Sequence, residues 1–397
     1  MGLKPYFYSM NALKEHFLLK PDSTFLNFGS FGATPRPVLE KWQSLQREFE
    51  EEPIQFMTVR GPQLLAASRA ALAGFLGCDA SDVVYVTNPS YAVSIITHSL
   101  HLRPGDEVLT TDLEYGACDR AWDHMCQLTG AKLVRVKVPF PYTDHTELVH
   151  AMEQHITPMT KLVFMSHITS ATALIFPAKE ICDLAKKHGI LSFIDGAHVP
   201  AHIPLDLKTL GADIYTGACH KWMMGPKGTS FLYLAKPLQK IIAPLVVSWG
   251  FDPQNPDASD FVMRHEVQGT RDITGFITIP TCIDFMQQHQ WTTVSAQCKE
   301  LVHANAARFS ALCQTPMTAA ADGRYTGQMY SMQIRCKEPM QLQRHLYEQH
   351  HIEIPVMQLG DRVFIRYSIN AFNSATDLDK LYTALETIIN KGIYIHA

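Results

Sequence analysis

No two of the nine cysteines stand at C-x-x-C spacing, and their number is odd. That argues against a disulfide framework or a structural zinc site and for a reducing compartment. Nor is there a basic excess: 34 Lys and Arg against 38 Asp and Glu leave a net charge of −4. A general nucleic-acid binder carries clustered positive charge, so that class drops out. Apolar runs are short, the longest from Ile241 to Val247, far below the roughly 20 residues of a bilayer-spanning helix. The opening MGLKPYFYSM lacks an apolar core of signal-peptide length. Tyr6 stands where a myristoylation motif wants Ser or Thr. The expectation is a cytoplasmic protein that engages neither membrane nor nucleic acid. No internal repeat, Walker loop or G-x-G-x-x-G after the first strand is present, which disfavours solenoids and nicotinamide enzymes. Disorder is excluded by 46% hydrophobic and only 18% charged residues.

What is present is alternation. Short β-branched runs recur: DVVYVTN, EVLTTD, KLVRVKV, KLVFMSHI, LSFIDGA, ADIYTGA and GTSFLYL. Helix-like segments lie between the first five, and one of them, PAKEICDLAKKHG, opens on Pro177 and closes on Gly189. Strands alternating with helices predict an α/β fold with a mostly parallel seven-stranded sheet covered on both faces. After about Ile277 the character changes. A long helix over 281–313, then strand, helix, two strands and helix, predict a smaller α+β C-terminal unit. The expected division is a large domain over 24–287 and a small one from 1–23 with 288–397. Ser248 to Ser259, rich in Gly, Pro, Asn and Asp, reads as an excursion or lid.

Ligands of open α/β sheets sit at the carboxyl ends of the strands. Asp195 closes the apolar strand FIDGAHVP, and a buried carboxylate is costly without a cation. Lys221, in TGACHKWMMGPKG, follows the next strand end 26 residues later. A lysine in a low-dielectric pocket has a lowered pKa and can act as an amine nucleophile. Alone, each residue has an ordinary reading, Asp195 as a helix cap and Lys221 as a loop lysine. Together they match what pyridoxal phosphate (PLP) needs, an acid for the pyridine nitrogen and a Schiff-base lysine for the aldehyde.

FIDGAHVPAHIPLDLKTLGADIYTGACHKWMMGPKG resembles the class V aminotransferase family of fold-type I PLP enzymes, and most of all its isopenicillin N epimerase-like branch. LNFGSFGATPRPVLEKW, TTDLEYGACDRAW and VQGTRDITGF are similar to that branch too, so the resemblance runs from about Leu26 to Asn373. It implies that Lys221 is the Schiff-base lysine and Asp195 the pyridine-nitrogen partner. It further implies that His198 packs beside the ring, that Tyr115 stacks on its face and that Ser170 reaches its phenolic oxygen. For the phosphate it implies the helix start at Asn88, Pro89 and Ser90. Proline has no N–H to give, so Ser90 is the better donor there. His220 is expected as a second phosphate contact; where Ala218 replaces a serine of some relatives, one contact is either missing or supplied by Thr216. Thr270 is expected to reach the phosphate of a neighbouring subunit, which implies a homodimer with the active site at the interface. Arg366, ending RVFIR, is expected to grip the carboxylate of an amino-acid-like substrate, with Asn27 and, more weakly, Arg60 lining the same pocket.

Other readings compete. Asp195, His198 and His202 mimic a metal-ligand set, but Pro200 and Pro204 interrupt the helix that would align them, and a metal leaves Lys221 without a role. No metal is therefore expected. A catalytically inactive binding scaffold would not need the Asp195–Lys221 pair. Within PLP chemistry, epimerisation, C–S lysis of a cysteine conjugate or sulfoxide, and transamination all remain open. Persulfide-forming desulfurases carry a Cys on the loop before the arginine strand. HIEIPVMQLGDRVFIR has none, and Cys336 lies 30 residues before Arg366.

Overall fold

All residues of β1 (Val83–Val86) are buried, as are those of β6 (Ile214–Ala218) and β7 (Ser230–Leu234). Runs apolar on both faces form sheets covered on both sides. The computed structural model, which describes residues 10–252, 254 and 260–394, sets them in a seven-stranded sheet. The other strands are β2 (Glu107–Thr111), β3 (Lys132–Val136), β4 (Thr160–Ser166) and β5 (Leu191–Asp195), and the order is β1-β7-β6-β5-β4-β2-β3. β2 to β6 run parallel, whereas β7 is antiparallel to both β6 and β1. The exposed edge, β3, carries Lys132 and Arg135 outward, which blunts it against further pairing.

Each helix starts and stops for a local reason. α1 (Pro89–Ser99) has Pro89 at its first position, where the missing N–H costs nothing, and Asn88 caps it by accepting from the Tyr91 amide at 2.8 Å. α2 (Gly116–Thr129) ends at Gly130 and α3 (Ala178–His188) at Gly189, both left-handed. The long helix expected over 281–313 is two helices, α4 (Ile279–Gln288) and α5 (Trp291–Leu312). The break falls at His289-Gln290, where Gln290 takes φ +49°. Beyond it, β8 (Met329–Ile334), β9 (Val356–Leu359) and β10 (Arg362–Ser368) form an antiparallel sheet in the order β9-β10-β8. α6 (Pro339–His350) packs on this part of the chain, and α7 (Ala375–Asn390) opens with a capping box of Ser374 and Asp377.

One hydrophobic cluster runs from Phe28 and Leu72 through Ile194 and Trp222 to Ile365 and Leu385. The N-terminal turn is tied to β10 by a bridge between Asn27 and Ser368. Of the excursion expected at 248–259, residues 253 and 255–259 lie outside the described residues. The described Trp249 is 92% exposed. No helix among the described residues is long and apolar enough to cross a membrane.

Candidate active site

Three neighbouring strand ends meet at one place. β4 ends at Ser166, β5 at Asp195, and β6 at Ala218, from which Cys219, His220 and Lys221 follow. Ser166 and Asp195 are register partners. The turn after β6 is held by the Cys219 and His220 amides, which both donate to the Thr229 carbonyl. A cavity of about 330 Å³ opens there. Ser90, Tyr115, Ser170, Asp195, His198, His220 and Lys221 all line it, joined by Ser30, Phe31 and Ser166. A larger cavity of about 750 Å³ lies between 201–205 and 283–299. Its only ionisable lining groups are His202 and Lys299, so the reactive groups belong to the smaller one.

Asp195 is buried and has no ion-pair partner among the described residues. One oxygen accepts from the Ala197 amide at 2.9 Å, and the other only from the weak Cys118 thiol at 3.5 Å. Burial pushes its carboxyl up, while the Ala197 amide, Lys221 and Cys118 pull the other way. Lys221 is brought down to about 8 by burial, with the Arg366 charge acting in the same direction and Asp195 opposing. Its Nζ lies 3.2 Å from His198 Nε2, and Trp222 donates from Nε1 to His198 Nδ1 at 3.4 Å. If Nδ1 accepts, the ring proton sits on Nε2. His198 then donates to the neutral form of the Lys221 amine, the form that prevails above about pH 8. Burial keeps His198 itself uncharged, and the Arg366 charge, joined by that of Lys221 below that pH, acts in the same direction. The network thus holds an amine of lowered basicity beside an acid with no cation paired to it among the described residues.

The site fits pyridoxal phosphate on its donor set. Asp195 offers a buried carboxylate oxygen to a ring N–H. At the other end, the Ser90 amide and hydroxyl have no partner among the described residues and stand at the Asn88-capped start of α1. Free N–H groups at a helix start attract an anion. His220 Nδ1 pairs with the Thr229 carbonyl at 2.9 Å, and burial lowers the ring to about 4. An adjacent dianion would raise it. Tyr115, half exposed just before α2, borders the cavity as an aromatic wall.

Arg366, on β10, is only 1% exposed and does not itself line the cavity; it stands behind the lining residues Ser30 and Ser170. Its Nη1 donates to the Ser170 carbonyl at 2.6 Å and its Nη2 to Ser30 Oγ at 3.2 Å, while Nε has no partner. No carboxylate pairs with this guanidinium among the described residues, and burial lowers it to about 10. A buried cation in that state calls for an external anion.

Other expected contacts lie elsewhere. Thr216 does not line the cavity, because its hydroxyl is spent on the Phe231 carbonyl of β7 at 2.8 Å. Asn27 is one step removed, accepting from Ser30 Oγ. Arg60 is at the surface, ion-paired with Glu48 at 2.8 Å. Thr270 is exposed on the loop after Val267 and does not border this cavity. His202 points away from Asp195: its Nδ1 bonds the His198 carbonyl, its Nε2 accepts from the Gln328 amide, and its ring stacks on Trp222 at 4.0 Å.

Sequence reasoning missed Ser30, Cys118, Ser166 and Glu114. Glu114 is the one with a visible signal, an acid inside the strand-end run TTDLEYG. The N-terminal turn presses on the site through Gly32, at φ +64°. A Cβ there would come within 2.4 Å of the His220 carbonyl oxygen and 2.7 Å of that of Lys221. Gly32→Ala is therefore expected to cost roughly 2–4 kcal/mol, from left-handed strain plus a backbone clash. The urea midpoint measures it, and a wild-type midpoint would refute the close approach.

The aminotransferase class-V family model matches residues 32–381. The isopenicillin N epimerase of Amycolatopsis lactamdurans is 31% identical over 389 residues, covering 94% of this chain and 97% of that protein. The hercynylcysteine sulfoxide lyase of Schizosaccharomyces pombe is 25% identical, covering 69% of this chain and 71% of its own. Among solved structures, a lysine-to-alanine mutant of C-DES with glycine covalently linked to its PLP cofactor superposes with a TM-score of 0.81. It is 21% identical and covers 94% of this chain and 98% of that one. The shared architecture is PLP fold type I.

Proposed function

The chain belongs to the aminotransferase class-V family and its cofactor is pyridoxal 5′-phosphate; from that premise we propose an enzyme acting at the α-carbon of an amino acid or amino-acid-bearing metabolite. Bound pyridoxal phosphate supplies an electron sink for the carbanion formed there. Lys221 is the attachment lysine and carries the α-proton. Asp195 holds a proton on the ring nitrogen, and His198 hydrogen-bonds the Lys221 amine. Tyr115 covers one face of the ring, Ser170 stands at its edge, and Ser90 with His220 holds the phosphate. Arg366 forks onto the substrate carboxylate. The active unit is a cytoplasmic homodimer, with Thr270 of each subunit serving the other. The large domain spans 24–287, and 1–23 with 288–397 form the small one, of which 1–9 and 395–397 lie outside the described residues.

One observation carries this reading. An acid without a cation and an amine lowered to about 8 stand on the same cavity wall, the pairing that a cationic ring with an electrophilic carbon requires.

For the reaction, the epimerase likeness at 31% identity favours epimerisation. Returning a proton to the opposite face needs a second acid/base. With His198 engaged by Lys221, Tyr115 is the lining residue available for that task. That shortage of bases supports direct C–S lysis as a second reading, since elimination needs only the lysine.

Proton NMR in heavy water, with a panel of amino acids and cysteine conjugates, separates the two. Exchange of the α-proton on an intact skeleton is the expected result. Pyruvate with a released sulfur fragment would retire epimerisation.

A further inference from the structure

Glu114 lies behind the cavity, 7% exposed, with no cation paired to it among the described residues. Its carboxyl joins two strand ends. Oε1 accepts from Thr111 Oγ1, at the end of β2, at 2.6 Å. Oε2 accepts from both the amide and the hydroxyl of Ser166, at the end of β4, at 2.8 and 2.6 Å. Ser166 lines the cavity and sits beside Asp195. The titratable groups that face Glu114 are Asp195 from β5 and Cys118 from α2.

We propose that Glu114 is a positioning residue whose protonation state sets which way the Ser166 hydroxyl points, and with it the polarity that this wall of the cofactor cavity presents. The inference rests on the cofactor site being the one around Lys221 and Asp195. While Glu114 is ionised, the single Ser166 hydroxyl proton is committed to Oε2, and Ser166 shows the cavity only lone pairs. Thr111 also accepts from the Leu113 amide at 3.3 Å, which leaves it less room to accept a second proton. A proton arriving on Glu114 is therefore favoured on Oε2, where it points at Ser166 Oγ. Ser166 then becomes the acceptor and turns its O–H toward the cavity. The same event removes a negative charge from behind Asp195. Burial raises Glu114 to about 7, against three hydrogen bonds that favour its ionised form, so the change falls near neutrality.

The holoenzyme's visible absorbance, titrated from about pH 5 to about pH 10, tests this. The wild type is expected to change in two steps, the lower one belonging to Glu114. Glu114→Gln should erase the lower step. Ser166→Ala should shrink that step, because the hydroxyl that carries it to the cavity is gone. What remains, the effect of the Glu114 charge on Asp195, should move up by about one pH unit, because Glu114 loses a hydroxyl that favours its ionised form. A Glu114→Gln titration superimposable on the wild type would overturn the proposal and leave Glu114 a purely structural link, visible only as a lower Tm. Should that variant fail to fold, an unmoved step in Ser166→Ala overturns it instead. A cofactor absorbance that survives Lys221→Ala is a different result, which removes the site reading itself.

Discussion

Lys221→Ala is expected to abolish the visible absorbance of the lysine-bound cofactor and to lower turnover by at least about 10³-fold, while leaving a folded protein. The spectral loss follows from removing the attachment amine, and the rate loss from removing the proton carrier as well. A spectrum unchanged from the wild type would sink the assignment. Stability gives a second readout that activity does not. Burial lowers the folded-state lysine from 10.5 to about 8, so the charged form is penalised in the fold. Between those two values the unfolded chain holds a proton that the folded chain has released, and stability of the apoprotein rises with pH across that window. Below about pH 8 the penalty is present in full. Lys221→Met, which removes the charge and keeps the volume, should therefore raise the apo Tm at pH 7, by an amount worth up to about 3 kcal/mol. The gap to the wild type should close as pH approaches 10.5. Equal melting at every pH would mean that the lysine is not held in a desolvated site.

The second large effect concerns Arg366. Arg366→Leu is expected to reduce kcat/KM for a carboxylate-bearing substrate by about 10²–10³-fold, the scale for losing one partner of a buried charged pair. The matching amine without a carboxylate should lose far less. Arg366→Lys should recover little, because an ammonium lacks the planar fork. The apo variant should be at least as stable as the wild type, since the leucine removes a buried cation that no carboxylate among the described residues neutralises. A variant that keeps the wild-type preference for the carboxylate would take Arg366 out of the substrate pocket.

Asp195 and Lys221 were legible because each sits where a strand stops, and strand ends are readable from β-branched runs meeting polar residues. Their electrostatic state was legible in direction too, since apolar flanks announce burial. Where the structure departs from the expected placement, the causes are local. Thr216 lies within a strand rather than past its end, so the neighbouring β7 carbonyl captures its hydroxyl before any ligand does. The helix expected over 281–313 breaks at Gln290 because a left-handed residue other than glycine carries no compositional mark. The antiparallel setting of β7 is invisible in alternation, which reports which segments are strands and not which way they run. Ser30 and Ser166 were missed because neither is recognisable without its partner. Ser30 matters through Arg366, and Ser166 through Glu114.

Ser30 and Arg366 meet although they stand 336 positions apart in the chain, and the turn that carries Ser30 also wedges Gly32 against the backbone of Lys221. On a ribosome this makes the first-synthesised part of the site wait for nearly the last. An emerging chain can pair β1 to β7 and present Asp195 and Lys221 well before Arg366 leaves the exit tunnel. Such a chain would own an amine and an acid but no finished pocket to hold them in register. The closing of so distant a contact comes late in folding, after its loop entropy has been met by the sheet. Chains cut short before Arg366 should therefore fail together in cofactor retention and catalysis, even where their sheet is complete.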